Sequence, residues 1–168
     1  MTHDDHGGRW RPMRADDIAA VGWLSDAIHD PAYSEAPAIY AERMALYPEG
    51  CHVFERQGAI EGYLISHPWR RRHPPALDSL LGTIPADADG YHLHDLALLP
   101  SARGSGAGKA GLALVLRQAG IAGLGEVTLV AVSGAEGFWQ AQGFQAATGE
   151  GHSPYGPGSR LMWRATAR

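Results

Sequence analysis

The chain has 168 residues, a formal net charge of -4, and hydrophobic and charged shares of 45% and 19%. That length suits one domain with a real core, and the charge balance excludes the basic stripe of a nucleic-acid binder. A single cysteine, Cys51, excludes an internal disulfide framework or a cysteine-based metal site.

In chain order, residues 1–8 are rich in His, Asp and Gly and read as a disordered leader. A single domain is expected over residues 9–168. The polar start lacks the apolar core of a signal peptide, and no apolar run is long enough to span a bilayer. The cytoplasm is therefore the expected compartment. A short strand near Trp10–Met13 precedes Asp16-Asp17, good helix-starting residues. Ile18, Val21, Leu24 and Ile28 then recur at helical spacing and mark one apolar face. Pro31 ends that helix, and a second is expected over Ala36–Leu46. Cys51–Arg56 and Ile60–Ser66 read as strands joined at Gln57-Gly58. Cys51, opening its strand, reads as a buried structural thiol.

Residues 67–90 read as a long surface excursion, with a short helical turn expected at Leu77–Leu81. Such excursions in compact domains are often functional. Arg70-Arg71-Arg72 within it reads as a solvated loop rather than a polyanion site. Tyr91–Leu99 is a strand, Lys109–Ala119 a helix, Glu126–Val132 an apolar strand and Ala135–Gln142 a short helix. Two closing strands follow, one from Phe144 and one over Arg160–Ala165, separated by a Gly/Pro-rich loop. The order β-α-α-β-β-β-α-β-α-β-β gives a mixed α/β sheet.

The most informative stretch is Leu98-Leu99-Pro100-Ser101-Ala102-Arg103-Gly104-Ser105-Gly106-Ala107-Gly108-Lys109. A glycine-rich turn between a strand and a helix presents unpaired N–H groups at a helix N-terminus, where the helix dipole also favours an anion. A Walker A loop fails here, because Arg103 and Ala110 stand where glycine and the magnesium-binding hydroxyl belong. Gly106-Ala107-Gly108-Lys109-Ala110-Gly111 matches a dinucleotide fingerprint, yet the next strand ends Val130-Ala131-Val132-Ser133 without the acid that binds ribose.

A third reading fits better. Arg103-Gly104-Ser105-Gly106-Ala107-Gly108, preceded by Leu98-Leu99-Pro100, resembles the acetyl-CoA pyrophosphate loop of the Gcn5-related N-acetyltransferases. Ala135-Glu136-Gly137-Phe138-Trp139-Gln140-Ala141-Gln142-Gly143-Phe144 is similar to a second motif of that family, in the right order. The resemblance covers about residues 50–145. It implies a mostly antiparallel, centrally splayed sheet flanked by helices in three layers, with acetyl-CoA as co-substrate, no metal, and a small-molecule amine as acceptor. Backbone groups at Leu96 and Leu98 would pair with the pantetheine arm, and Arg103, Gly104, Ser105, Gly106, Ala107 and Gly108 would hold the pyrophosphate. Ser133, Phe138 and Trp139 would complete the cofactor contacts. Neither nucleic acid nor membrane is an expected partner, and the family analogy allows a homodimer.

The run His92-Leu93-His94-Asp95-Leu96-Ala97-Leu98 is similar to a His-x-His-x-Leu-Ala-Val strand of the arylalkylamine N-acetyltransferases, whose two histidines line a proton path. His92 and His94 would share one strand face and are the catalytic bases expected from this resemblance. Asp95, expected on the opposite face, is a second candidate. Trp139 stands where the family commonly has a tyrosine that protonates the leaving thiolate. Indole N–H is no useful acid, so CoA would leave as a thiolate, or another group such as Tyr155 would protonate it. Thiolate departure is tolerable, a thiol pKa lying only about one or two units above neutrality. Tyr33, Ser34, His67, Trp69, His152 and Tyr155 make an expected acceptor pocket that is aromatic and histidine-rich, without a carboxylate cluster. The alternative to an N-acetyltransferase is a non-catalytic acyl-CoA-binding regulatory module.

Overall fold

Apolar residues alternate along the strands and meet apolar helix faces on both sides, so the chain folds as three layers in this computed structural model. The structure describes residues 7–148 and 153–167. Strand β1 spans Arg9–Pro12, helix α1 Ile18–Ile28, α2 Pro37–Leu46, β2 Cys51–Arg56, β3 Ala59–Trp69 and β4 Gly90–Leu98. Helix α3 spans Ala107–Ile121, β5 Glu126–Ala131, α4 Glu136–Ala141, β6 Gln145–Ala146 and β7 Arg160–Ala165. This is the element order read from sequence. Among the described residues the sheet runs β1-β2-β3-β4-β5-β7-β6, with every neighbouring pair antiparallel except β4 and β5. No helix of the described residues is long and apolar enough to cross a membrane.

Strand β3 shows how one sequence serves two cores. Leu64 packs with Leu112 and Val115 of α3, whereas Tyr63 and Ile65 pack with Val21 and Leu24 of α1 and Tyr40 of α2. Cys51 is fully buried in the second of these clusters, and burial raises its thiol pKa to about 12. It is the structural thiol expected.

Two departures from the sequence reading bear on the site. The excursion between Trp69 and Gly90 has no helical turn at Leu77–Leu81. Its backbone is instead bound by side chains: Glu42 accepts from the N–H groups of Leu81 and Gly82, and Arg43 Nη1 donates to Ser79 O at 2.9 Å. Those external partners replace the internal bonds of a helix. The second departure is a β-bulge. Ile65 pairs with Asp95 and Ser66 with Leu93, so His94 is an extra residue on β4. Most of the leader expected over residues 1–8 lies outside the described residues. Its last residue, Gly8, packs so closely on Phe54 that a Cβ would fall 2.6 Å from the ring.

Candidate active site

Strands β4 and β5 pair only from Tyr91 to Leu93 against Val127 to Leu129. Beyond that point they part, although β4 continues to Leu98 and β5 to Ala131. The opening between them lies within a cavity of about 860 Å³. Leu96, Leu98, Ser133, Phe138 and Trp139, all expected around the cofactor, line it together with Arg103, Gly104, Gly106 and Gly108.

One end of the cavity is the glycine loop. Gly104 and Gly106 have φ of 79° and 84°, and Gly106 is the N-cap of α3. A side chain at either position would be strained by backbone conformation alone, since nothing lies within 4 Å of either ideal Cβ. The first N–H groups of a helix have no partner within it, and here Arg103 of the loop and Lys109 in the first turn of α3 line the cavity beside them. This donor set, with two cations and a helix N-terminus, fits a pyrophosphate. Trp10 secures the start of α3 by donating from Nε1 to Ala107 O at 2.8 Å. Close packing continues at Gly108, where a Cβ would stand 3.2 Å from Phe138. Ser105 and Ala107 of the same loop are not cavity-lining: Ser105 Oγ donates to Ala102 O at 2.6 Å, and Ala107 is buried beside Phe54. Arg103 Nε donates to Leu98 O at 3.2 Å, engaging one of the backbone groups expected to face pantetheine. At the end of β5, Ser133 (φ 55°) and Gly134 (φ 77°) turn the chain.

The other end is the apex where the strands part. The bulge at His94 breaks strict alternation, so His94 and Asp95 both reach the cavity, instead of facing opposite sides of the sheet. Each meets a partner from the α1 end or the α1–α2 connection. His94 Nε2 lies 2.6 Å from Glu35 Oε1; a carboxylate only accepts, so this nitrogen carries the hydrogen. Glu35 Oε2 accepts from the backbone N–H of Asp78 at 2.8 Å, and Asp78 Oδ1 accepts from Ala36 N–H at 2.9 Å. These reciprocal bonds tie the connection to the excursion. His92 does not line the cavity. It is fully buried behind His94, with Nε2 3.3 Å from His94 Nδ1. Burial, then the neighbouring His94 and His67, hold its imidazole well below its ordinary pKa.

The second pair is His29 with Asp95. His29 Nε2 sits 3.0 Å from both Asp95 oxygens, and Tyr63 donates its hydroxyl to Asp95 Oδ2 at 2.6 Å. The Asp95 carboxylate raises the His29 pKa against the opposing effect of burial. Burial pushes Asp95 upward, but charge and hydrogen bonding from His29, with the Tyr63 bond, leave it below the ordinary carboxylate value.

Of the acceptor residues expected from sequence, Tyr33 and Tyr155 line the cavity, and Tyr155 donates its hydroxyl to Pro75 O at 3.1 Å. Burial raises the Tyr155 pKa. Ser34 lines a separate shallow depression with Asp78. His67 is fully buried, its pKa lowered to about 3 by burial, and Trp69 meets it edge-on. His152 lies outside the described residues. Trp139 packs edge-on against both Phe138 and Phe144 while it lines the cavity. Sequence reasoning missed His29, Glu35 and Tyr63. An acid and an imidazole flanking the named Tyr33-Ser34 connection were the available signal, and they contradict the expectation of a pocket without carboxylates.

The Acetyltransferase (GNAT) family model matches residues 18–144, from the first residue of α1 to Phe144. This chain belongs to the GNAT family. Its fold is accordingly that of an acyl-CoA-dependent acyltransferase, and acetyl-CoA is the family's co-substrate. Many solved structures are similar in fold, and three illustrate the range. The loading GNATL domain of CurA from Lyngbya majuscula superposes with a TM-score of 0.79 at 14% identity, covering 95% of this chain and 98% of that one. GphF, a GNAT-like decarboxylase in complex with isobutyryl-CoA, gives 0.75 at 20% identity, covering 94% and 99%. Arabidopsis thaliana Naa50, in complex with the bisubstrate analogue CoA-Ac-MVNAL, gives 0.67 at 15% identity, covering 94% and 98%. No curated protein matches the chain by sequence.

Proposed function

We propose that this GNAT chain transfers an acetyl group from acetyl-CoA to the primary amine of a small acceptor by direct attack. One observation carries the reading: a single cavity runs from the glycine loop, past the parted strands, to two histidine–carboxylate pairs. In this proposal the loop N–H groups, Arg103 and Lys109 hold the pyrophosphate. The backbone of β4 near Leu96 and Leu98 receives the pantetheine arm, with Ser133, Phe138 and Trp139 beside it. When bound, acetyl-CoA supplies an activated acyl group whose departing sulfur needs little help, which suits the tryptophan at position 139.

The apex serves the acceptor. Ile28, Tyr33, Leu77 and Tyr155 offer apolar and aromatic wall, while Glu35 and Asp95 place two carboxylates where an ammonium would approach. That set fits an amine with an apolar portion. His94 and His92 form the inner pair of this proposal, with His94 fixed by Glu35 and His92 held neutral by burial. The cytoplasm is the compartment that matches this donor.

The test is thiol release from acetyl-CoA against arylalkylamines, polyamines, amino acids and peptide N-termini, with CoA affinity measured by calorimetry. Amine-dependent release is expected, and His92→Ala and His94→Ala should lower it at unchanged CoA affinity. Tight CoA binding without release across the panel would favour a non-catalytic acyl-CoA-binding module. Release of carbon dioxide from a carboxyacyl-CoA without any amine would favour the chemistry named for GphF.

A further inference from the structure

Two histidines at the apex stand beside carboxylates, but they are not equivalent. His94 is 1% exposed and Glu35 2%, whereas His29 is 14% exposed and Asp95 11%. More decisive is what each ring nitrogen is doing. His94 spends both: Nε2 faces Glu35 and Nδ1 faces His92 Nε2. His92 Nδ1 is sealed from solvent. Neither ring offers a lone pair to a ligand in the cavity. His29 spends only Nε2, whose hydrogen is shared between the two oxygens of Asp95. Its Nδ1 has no protein partner among the described residues, and it is not among their solvent-sealed polar atoms.

We infer that His29 is the general base that takes the amine proton, and that Asp95, held by Tyr63, is the residue that positions it. This rests on the acetyl-transfer reading above. The geometry has the logic of any imidazole steered by a buried carboxylate. Asp95 fixes the tautomer with hydrogen on Nε2, leaves Nδ1 as an acceptor, and stabilises the imidazolium once it forms. Tyr63 fixes Asp95 in turn, and Tyr63 belongs to a buried hydroxyl chain, with Tyr40 Oη at 3.5 Å and Ser25 Oγ 2.8 Å beyond that. The pair sits where β4 and β5 cease to pair, next to Leu96, so the base lies at the apex rather than along the cofactor channel.

The step balances without a further reactant. The acceptor loses its ammonium proton to solvent on entry, and the lone pair of the neutral amine then forms the N–C bond to the thioester carbonyl carbon. The C–S bond breaks, and its electron pair stays on sulfur. The N–H proton passes to His29 Nδ1, and His29 releases it to solvent before the next turnover. His94 and His92 then become positioning residues, with His94 holding Glu35 and the α1–α2 connection against β4.

The titratable groups around His29 are Asp95, which it bonds, Tyr63 behind Asp95, and Glu35, His94 and Tyr155 lining the same cavity. Asp95 is the nearest charge, and Glu35 acts in the same direction. The test combines kinetics with a histidine NMR titration of the protein free of acetyl-CoA. In the wild type, His29 should titrate above its ordinary value of about 6.5, and kcat/KM for the amine should rise with pH through the same inflexion. Asp95→Asn keeps the hydrogen-bond acceptor but removes the charge, so both inflexions should move down together. His29→Gln should lower kcat at least a hundredfold and abolish the inflexion, while calorimetric CoA affinity stays at the wild-type value and so reports an intact fold. An active wild type whose His29→Gln variant keeps its rate and inflexion overturns this inference alone. A wild type inactive toward every amine overturns the acetyl-transfer reading and the base together, even where the NMR titration shows Asp95 holding His29.

Discussion

The two ends of the cavity are built in opposite ways. The phosphate-binding part of the cofactor end is continuous in sequence: β4, its glycine loop and the start of α3 run from Gly90 to Lys109 with one interruption by a short helical turn. Ser133, Phe138 and Trp139 join it from the end of β5 and from α4. The apex collects His29 from the end of α1, Glu35 from the following connection, Tyr63 from β3 and the His94-Asp95 bulge from β4. A contiguous phosphate loop works through backbone donors and needs little from distant side chains. A proton-handling apex needs side chains held at hydrogen-bond distance by other side chains, which only tertiary packing supplies. The difference predicts that the two ends fail independently and by different measures.

The largest effect should come from Asp95→Ala. It leaves the Tyr63 hydroxyl and the His29 imidazole without their shared carboxylate in a buried setting. A loss of about 3 kcal/mol in stability is expected from breaking such a pair, together with near-complete loss of amine-dependent thiol release. Denaturant unfolding and the thiol assay check the two parts. At the other end, Gly106→Val forces a β-branched residue into a left-handed φ of 84° where space is open. Strain of about 1–2 kcal/mol at the N-cap should weaken CoA binding roughly tenfold, read by calorimetry, with kcat at saturating acetyl-CoA little changed.

Much of this division was foreseeable. The element order and the loop at Arg103–Gly108 follow from local patterns: alternation, helical spacing and a glycine turn between strand and helix. The splay was legible only through the family resemblance. The apex was only half legible. His92 and His94 stood out because they are two apart on a strand, yet a one-residue bulge turned Asp95 to the same side and gave His94 and His92 each other as partners. Bulges arise from pairing with β3, which no local window on β4 contains. His29 and Glu35 flank the Tyr33-Ser34 connection in sequence, but nothing in a loop's composition says which sheet residue it will meet. The ordered, non-helical Leu77–Leu81 segment follows the same logic, because its backbone is bound by Glu35, Glu42 and Arg43.

Smaller effects sharpen the comparison within the apex. Glu35→Gln keeps the shape but loses the carboxylate that accepts from His94 and from the Asp78 N–H. Turnover should fall about tenfold with CoA affinity unchanged, as steady-state kinetics and calorimetry would show. Gentler still is an acid effect on stability. His67, lowered by burial to about 3, and His92, lowered as well, are neutral when folded but bind protons when unfolded below about 6.5. The unfolded chain therefore binds more protons in that window, and stability should decline as pH falls from about 6.5 toward 3. Thermal unfolding across that range checks the sign, and His67→Phe should flatten part of the slope.

The most direct measurement is a steady-state comparison of Gly106→Val, His29→Gln and the double variant, with kcat and acetyl-CoA KM determined at a saturating amine. The account predicts that Gly106→Val raises KM at near-normal kcat, that His29→Gln lowers kcat at near-normal KM, and that the double variant shows both losses added as free energies. Loss of kcat in Gly106→Val equal to that in His29→Gln, or a raised KM in His29→Gln, would contradict the separation of a cofactor end from a proton-handling apex.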